Sequence, residues 1–261
     1  MNIALANLID ERSVAHVEES RAFSAAKQAA GGQQGPTNND ELTAARNSLP
    51  AGPAESRAVE RIARVGEAQV PVRVTSPRSR CSRATYLDIH GGGFYMDSAA
   101  RGDARNARLA DALGVTVVSV EYRLAPEHPW PAAPDDCETA ALWLVQAGRD
   151  AFGTDRMLIG GASAGATLAT TTLLRLRGRE LVHPIVGAAL QFGAYDLSGQ
   201  SPGGNLAMAA RLSAAGNEVD LRVFPESMHG FTSHPISMAA AALDQVEAWL
   251  AGRLDEQRRP V

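Results

Sequence analysis

The segment Gly161–Gly165, which reads Gly-Ala-Ser-Ala-Gly, constrains the fold of this chain more than any other stretch. It stands between an apolar run, Met157–Gly160, and a helix-favouring run, Thr167–Leu176. The pattern G-x-S-x-G between a strand and a helix is that of a nucleophile elbow, which exposes its serine at the edge of a sheet. Small neighbours let strand and helix pass closely, and the helix N-terminus favours negative charge. We therefore expect Ser163 to be a nucleophile, although a plain turn between a core strand and a core helix would also use such residues.

Composition sets the protein class. The chain has 261 residues, 45% of them hydrophobic and 21% charged, which suits one large α/β domain with a buried core. A net charge of −4 and the lack of a basic block argue against nucleic acid as a partner. Cys81 and Cys137 lie far apart without metal-type spacing, so we expect free thiols and no metal. No basic leader precedes Asp10 and no apolar run is long enough for a membrane span, which predicts a cytoplasmic protein.

The N-terminal region has helical composition and no strand signal. Residues 1–30 are rich in alanine and mixed charge, 31–39 have loop composition, and a second helix is expected over about Asp40–Ser48. We interpret 1–55 as a small N-terminal helical cap region and 56–261 as the core. A simple N-terminal appendage is the alternative.

Strands and helices alternate through the rest of the chain. The predicted strands are Ala68–Val74, Ala84–Ile89, Val115–Val120, Met157–Gly160, Pro184–Phe192 and Glu218–Phe224. The predicted helices are Ala100–Leu113, Asp135–Ala147, Thr167–Leu176, Asn205–Ala215 and Ser237–Leu250. The first strand alternates like an antiparallel edge strand, and the continuous β-branched run at Val115 is typical of a buried parallel strand. The rhythm predicts a mostly parallel central sheet with helices on both faces.

The segment His90–Phe94, which we call the glycine loop, reads His-Gly-Gly-Gly-Phe directly after a predicted strand. Consecutive glycines cost entropy unless the backbone must approach something closely. Free N–H groups in such a loop can bind an oxyanion, and a loop of this type is the known partner of the elbow. We expect Gly92 and Gly93, together with Ala164, to donate these N–H groups. A flexible hinge is the alternative, while a phosphate-binding loop lacks its motifs.

His229 is the expected general base. It lies in the loop that leaves the last predicted strand, from which it can reach back to Ser163 and take its proton. His90 is expected to brace the glycine loop instead. The remaining candidates have weaker positions: His16, His183 and His234.

A proline-rich stretch, Glu121–Asp136, follows the strand Val115–Val120. Its prolines restrict the loop. We expect its charged residues to brace the glycine loop without a catalytic role: Glu121, Arg123, Glu127 and Asp135.

Four motifs together resemble the bacterial hormone-sensitive-lipase-type family of α/β-hydrolase esterases. They are the glycine loop, the Tyr-Arg-Leu-Ala-Pro-Glu-His-Pro stretch at Tyr122, the elbow and His229-Gly230-Phe231, in that order. The likeness runs from about residue 60 to the end. It implies an α/β-hydrolase fold that hydrolyses small carboxylic esters, mostly of short acyl chains, without a cofactor. Ala162 stands where the family commonly has an acidic residue.

The sequence departs from this family in the third member of the serine–histidine–acid catalytic triad, which we call the triad acid. The family places an aspartate in a loop after a strand that we do not find, as if a segment were absent around Gly204–Asn205, which leaves the sheet one core strand short. Because active sites lie outside the carboxyl ends of parallel strands, Asp196 and Glu226 are the remaining candidates, and we favour Asp196. An impaired or non-catalytic relative that binds ligands without efficient turnover is the alternative function. An uncovered sheet position would also favour a homodimer.

Overall fold

The computed structural model describes residues 8–31, 35–79, 81–195 and 202–256. The chain forms two compact units, each of which we describe by itself. One consists of Met1–Thr43 and Ala194–Val246, and the other of Ala44–Gly193 and Glu247–Val261. The sequence-based division into a cap region (1–55) and a core (56–261) stays a prediction.

A six-stranded sheet organises the larger unit. Its strands are β1 (Val59–Val65), β2 (Ala68–Thr75), β3 (Thr85–Ile89), β4 (Thr116–Val120), β5 (Met157–Ala162) and β6 (Ile185–Gln191). They lie in the order β1-β2-β4-β3-β5-β6. The pairs β1–β2 and β2–β4 are antiparallel, whereas β4–β3, β3–β5 and β5–β6 are parallel. The predicted mostly parallel sheet is confirmed.

The helices are α1 (Glu11–Val14), α2 (Val17–Ala29), α3 (Asn39–Ser48), α4 (Asp103–Leu113), α5 (Ala132–Phe152), α6 (Ala164–Gly178), α7 (Pro202–Ala214) and α8 (Ser237–Glu256). Each predicted helix is present, and α5 and α8 extend several residues beyond the expected bounds. Gly114 ends α4 in the left-handed region at φ 65°, a conformation that glycine adopts without steric cost.

Helices cover both faces of the sheet, as predicted. The guanidinium of Arg61 in β1 lies over the ring of Phe152 in α5, 5.6 Å from its centroid. The adjacent side chain, Glu60, is on the opposite face, where its partner Arg73 also pairs with Asp103 of α4. Because neighbouring residues of a strand point to opposite faces, α4 and α5 lie on opposite sides of the sheet.

The core sits around the central strands. All five residues of β3 and all five of β4 are buried, as parallel strands between two helical layers require. Leu87, Val118, Ile159 and Leu168 belong to one apolar cluster there. The sheet therefore gives a rigid support to the loops that leave the carboxyl ends of β3 and β5.

Two strand predictions are wrong. Residues 218–224 form no strand, although Val223 donates one backbone hydrogen bond of 3.0 Å to the carbonyl oxygen of Leu8. Alternation in a sequence indicates a half-buried extended segment, and such a segment becomes a strand only when it finds a strand to pair with. The strand at Ala68 is antiparallel, but it is not at the edge, because the unpredicted β1 lies outside it.

Candidate active site

Ser163 occupies the apex between β5 and α6. It is the N-cap of α6 and has φ 56° and ψ −122°, a conformation that L-residues rarely adopt. Its N–H donates a 2.9 Å hydrogen bond to the carbonyl oxygen of Gln191, and its own carbonyl accepts one of 3.0 Å from Ala166. Backbone strain of this kind costs about 1–3 kcal/mol and persists only where the surroundings impose it. The elbow geometry expected from the sequence is present.

The glycines of the elbow let β3 pass directly against it. A Cβ atom at Gly161 would lie 2.5 Å from the carbonyl oxygen of Ile89, and one at Gly165 would lie 2.6 Å from that of His90. Real Cβ atoms essentially never approach oxygen so closely. The pattern G-x-S-x-G is therefore a packing requirement of this sheet edge as well as a turn signal.

The glycine loop begins beside Ser163. Ile89, the last residue of β3, is in register with Gly161. A Cβ atom at Gly91 would lie 3.6 Å from the Cβ of Ser163 and 2.9 Å from the carbonyl oxygen of Ala162. Only a residue without a side chain fits between the loop and the serine.

The next two glycines make the loop turn. Gly92 and Gly93 have φ of 103° and 64°. The carbonyl of Gly92 accepts hydrogen bonds from Tyr95 (3.2 Å) and Met96 (2.9 Å). The N–H groups of Gly92, Gly93 and Ala164 donate to no described residue, and that of Ala164 is one of the unsatisfied donors at a helix start. These three groups can receive a developing negative charge.

Tyr122 supports the base of the glycine loop. Its hydroxyl donates to the carbonyl oxygens of His90 and Gly91, each at 3.0 Å, and its ring stacks on His90 with centroids 4.1 Å apart. Burial raises the pKa of Tyr122 well above its ordinary value, so the hydroxyl keeps the proton that it donates. One hydroxyl thereby fixes two carbonyls at the start of the glycine loop.

His90 is buried, and burial favours its neutral form. Burial lowers its pKa below the ordinary value of 6.5, and its Nδ1 lies 2.9 Å from the carbonyl oxygen of Gly91. Because a carbonyl can only accept, Nδ1 carries the proton of the neutral ring. His90 thus braces the loop as expected, and its Nε2 has no hydrogen-bond partner within the described ranges.

A buried carboxylate anchors the strand that carries the glycine loop. Asp88 accepts hydrogen bonds from Arg105 (2.7 Å), Asn106 (3.0 Å) and Ser119 (2.7 Å), which belong to α4 and β4. The ion pair with Asp88 raises the pKa of Arg105. Sequence reasoning missed this cluster, because its members lie up to 31 residues apart.

Arg46 of α3 holds the far side of the loop. Its guanidinium donates to the carbonyl oxygens of Tyr95 (2.8 Å) and Ala125 (2.7 Å) and pairs with the carboxylate of Glu127 at 2.6 Å. Ala125 in turn donates a 3.0 Å hydrogen bond to the carbonyl of Phe94. The hydrogen bonds from Arg46 lower the pKa of Glu127 to about 2. Sequence reasoning also missed Arg46, which no local motif marks.

The four charged residues after β4 that were expected to brace the glycine loop have separate partners and do not form one network. Glu121 accepts a hydrogen bond from the N–H of Ala99 at 3.0 Å, and burial raises its pKa. Arg123 pairs with Asp136 of α5. Asp135, also in α5, pairs with Arg175 of α6. Only Glu127 acts through a residue that touches the end of the glycine loop.

His229 lies in the smaller unit, in a loop fixed to α2. The carbonyl of Glu226 accepts hydrogen bonds from the hydroxyls of Ser20 (3.1 Å) and Ser24 (2.9 Å). Glu226 itself has φ 57°. Partial burial lowers the pKa of His229, which favours the neutral imidazole that a general base needs.

The structure describes only one of the two candidates for the triad acid. Asp196 lies outside the described residues. The carboxylate of Glu226 is 3.4 Å from Nε of Arg21, so it already has a cationic partner. Within the described ranges, no cluster of three or more metal-ligating side chains occurs, and no helix has the length and apolar character to cross a membrane.

Comparison with known proteins agrees with this geometry. Residues 86–205 match the model of the alpha/beta hydrolase fold family, a range that includes the glycine loop and the elbow but not His229. An arylesterase of Saccharolobus solfataricus is 33% identical over 134 residues, which are 51% of this chain and 44% of that protein. Esterase LipI of Mycobacterium tuberculosis is 43% identical over 93 residues, 35% and 29% of the two chains. The matches thus span less than half of either curated relative.

A solved structure shows the same architecture. A hormone-sensitive lipase from a metagenome library superposes with a TM-score of 0.71 at 20% identity and covers 91% of this chain and 98% of its own. Residues 86–205 therefore resemble the alpha/beta hydrolase fold family, and the likeness to the solved lipase is one of fold.

Proposed function

We propose that this protein hydrolyses carboxylic esters through Ser163. The observation that carries the proposal is the strained φ of 56° at Ser163 directly beside the glycine loop, where a Cβ atom added at Gly91 would lie 3.6 Å from the serine Cβ. A chain pays for such strain where a side chain must be presented at a fixed place. The names of its relatives, arylesterase and esterase, support the same reaction class.

In the proposed mechanism, Ser163 Oγ attacks the ester carbonyl carbon while His229 accepts the hydroxyl proton. The N–H groups of Gly92, Gly93 and Ala164 stabilise the negative oxygen of the tetrahedral intermediate. His229 then gives its proton to the departing alkoxide, which leaves as the alcohol and creates an acyl-enzyme. Water attacks this ester in the same manner, which releases the carboxylic acid and restores the serine.

Asp196 is the acid that we propose to orient His229. The substrates are small esters of short-chain acids, as the family resemblance implies, and the mechanism uses only side chains and backbone N–H groups. A cytoplasmic location stays a prediction from the sequence.

The second candidate function is ligand binding without efficient turnover. It is favoured by the segment 218–224, which forms no strand, and by a sheet that ends at β6 within the described residues. In a relative of this kind, the elbow and glycine loop would still bind a carbonyl or carboxylate group, but proton transfer would be slow.

A fluorophosphonate probe and an ester assay distinguish the two functions. We expect the probe to label the wild-type protein covalently and p-nitrophenyl butyrate to be hydrolysed, and Ser163→Ala to abolish both. Ser233→Ala, which removes another serine hydroxyl with only a local hydrogen bond of 2.8 Å, is the matched control. Hydrolysis that persists in Ser163→Ala would refute the nucleophile, and labelling without hydrolysis would favour the second function.

A further inference from the structure

The outer edge of β1 is open. Within the described residues, this seven-residue strand pairs only with β2, and Ala63 is its one buried side chain. Ile62 is 40% exposed and Val59 57%. An exposed edge strand of this length is a template for pairing with another strand.

The backbone polarity of that edge follows from β2. The N–H of Glu121 donates a 3.0 Å hydrogen bond to the carbonyl of Pro71, so this carbonyl points towards β4 and away from β1. Ile62 is the residue opposite Pro71. In an antiparallel pair, residues that do not exchange hydrogen bonds direct their N–H and C=O groups to the other side. Ile62 therefore presents both groups outward, and by alternation so do Glu60 and Arg64.

We propose that β1 pairs antiparallel with β1 of a second copy of this chain, about a two-fold axis at Ile62. In this register Ile62 faces Ile62 of the second copy, and Glu60 faces Arg64. Opposite charges directly across a strand pair are favourable. Because a two-fold interface repeats each contact, the Glu60–Arg64 pair forms twice.

The charges select this register over its neighbours. A two-fold axis at Glu60, Arg61 or Arg64 would place each of these residues opposite its own copy, and like charges across a strand pair are unfavourable. An axis at Ala63 would place Ile62 opposite Arg64 and make no charge pair. Only the axis at Ile62 turns the charged residues of this edge, which commonly prevent strand pairing, into complementary partners.

The side chains that the pairing needs are accessible. The Glu60 side chain is 82% exposed, and its 2.7 Å pair with Arg73 leaves it open to a second cation. Arg64 is exposed and makes no ion pair within the described ranges. A cavity of about 280 Å³ borders Ile62, Pro71 and Ala100, so there is open space beside the Ile62 side chain.

Sedimentation velocity over a concentration series, combined with amide hydrogen exchange, tests the proposal on the full chain. We expect a species of twice the 27.5 kDa monomer, and slower exchange at Glu60, Ile62 and Arg64 as concentration rises. The N–H groups of Arg61 and Ala63 point towards β2 and should exchange slowly at every concentration. This alternating pattern is specific to pairing through the outer edge of β1.

A charge exchange supplies the control. Arg64→Glu places two glutamates opposite each other twice and should weaken the dimer by about tenfold, whereas Glu60→Arg combined with Arg64→Glu should restore it. Arg177→Glu, the same charge change at an exposed position of α6, should leave the dimer unchanged. A monomer at all concentrations, a dimer without protection at Ile62, or a double variant as weak as Arg64→Glu would each overturn the proposal.

Discussion

Nε of Arg46 lies 2.8 Å from the carbonyl oxygen of Tyr95, and this hydrogen bond joins α3 to the residue directly after the glycine loop. The same guanidinium reaches the carbonyl of Ala125, whose N–H holds Phe94. One side chain therefore fixes the end of the loop from two directions. If the loop stabilises a transition state as proposed, small displacements of its N–H groups are costly, because such groups act only at the correct distance.

We predict that Arg46→Met lowers kcat roughly 10- to 100-fold and changes KM little, because the loop loses its outer support but keeps its glycines. Arg46→Lys should recover part of kcat, since an ammonium can reach one carbonyl but not two and a carboxylate together. Steady-state hydrolysis of p-nitrophenyl butyrate measures both constants. Arg149→Met is the control, because among the described residues the Arg149 guanidinium pairs with Asp155 alone, at the surface. Equal losses of kcat in the two methionine variants would contradict a positioning role for Arg46.

Tyr122→Phe removes a hydroxyl and keeps the ring that stacks on His90. The carbonyls of His90 and Gly91 then lose their shared donor, and we expect the unfolding free energy to fall by about 1–3 kcal/mol. We also expect a lower kcat, since these carbonyls directly precede Gly92 and Gly93, the proposed donors to the oxyanion. Urea unfolding and the ester assay give the two values. An unchanged kcat in a stably folded variant would show that the loop does not depend on this hydroxyl.

The buried His90 predicts how stability depends on pH. Its pKa is lowered in the folded state, so between 6.5 and that lower value the unfolded chain binds the additional proton. The contribution of neutral His90 is therefore complete above pH 6.5 and is lost as pH falls through its folded pKa. His90→Phe, which keeps a ring against Tyr122, should reduce the loss of unfolding free energy between pH 7 and pH 5.

Carboxylates also titrate between pH 7 and pH 5, but they do so in both proteins. The difference in unfolding free energy between the wild type and His90→Phe therefore reports the contribution of His90. His128→Phe, at an exposed histidine, is the matched control and should lose stability like the wild type. Parallel curves for wild type and His90→Phe would show that His90 does not titrate with unfolding.

The parts of this site that the sequence predicted are local. Ser163 and Gly91–Gly93 sit in short motifs whose residue types are required by the backbone itself: a φ of 56° at the serine, φ of 103° and 64° at two glycines. The physical cause and the sequence signal coincide there. The mostly parallel sheet around them follows from the alternation of strands and helices along the chain.

The missed supports depend on contacts between distant residues. Arg46 and Tyr95 are 49 positions apart, and each has an ordinary sequence neighbourhood. The strand β1 was missed because charged residues occupy its exposed positions, and residues 218–224 were wrongly expected to be a strand because alternation does not reveal whether a pairing edge exists. Long-range pairing is decided by the assembled fold.

Two substitutions distinguish the two candidates for the triad acid. Glu226 has φ 57°, a backbone conformation that glycine adopts without strain. Glu226→Gly therefore removes the carboxylate without adding backbone strain. The carbonyl that accepts from Ser20 and Ser24 is kept, and the Arg21 pair that is lost is exposed and of small value. We therefore expect Glu226→Gly to retain kcat. Asp196→Asn, in contrast, should lower kcat by about 10⁴-fold if Asp196 orients His229. Single-turnover rates with p-nitrophenyl butyrate measure both, and a collapse in Glu226→Gly with an intact Asp196→Asn would transfer the role of the acid to Glu226.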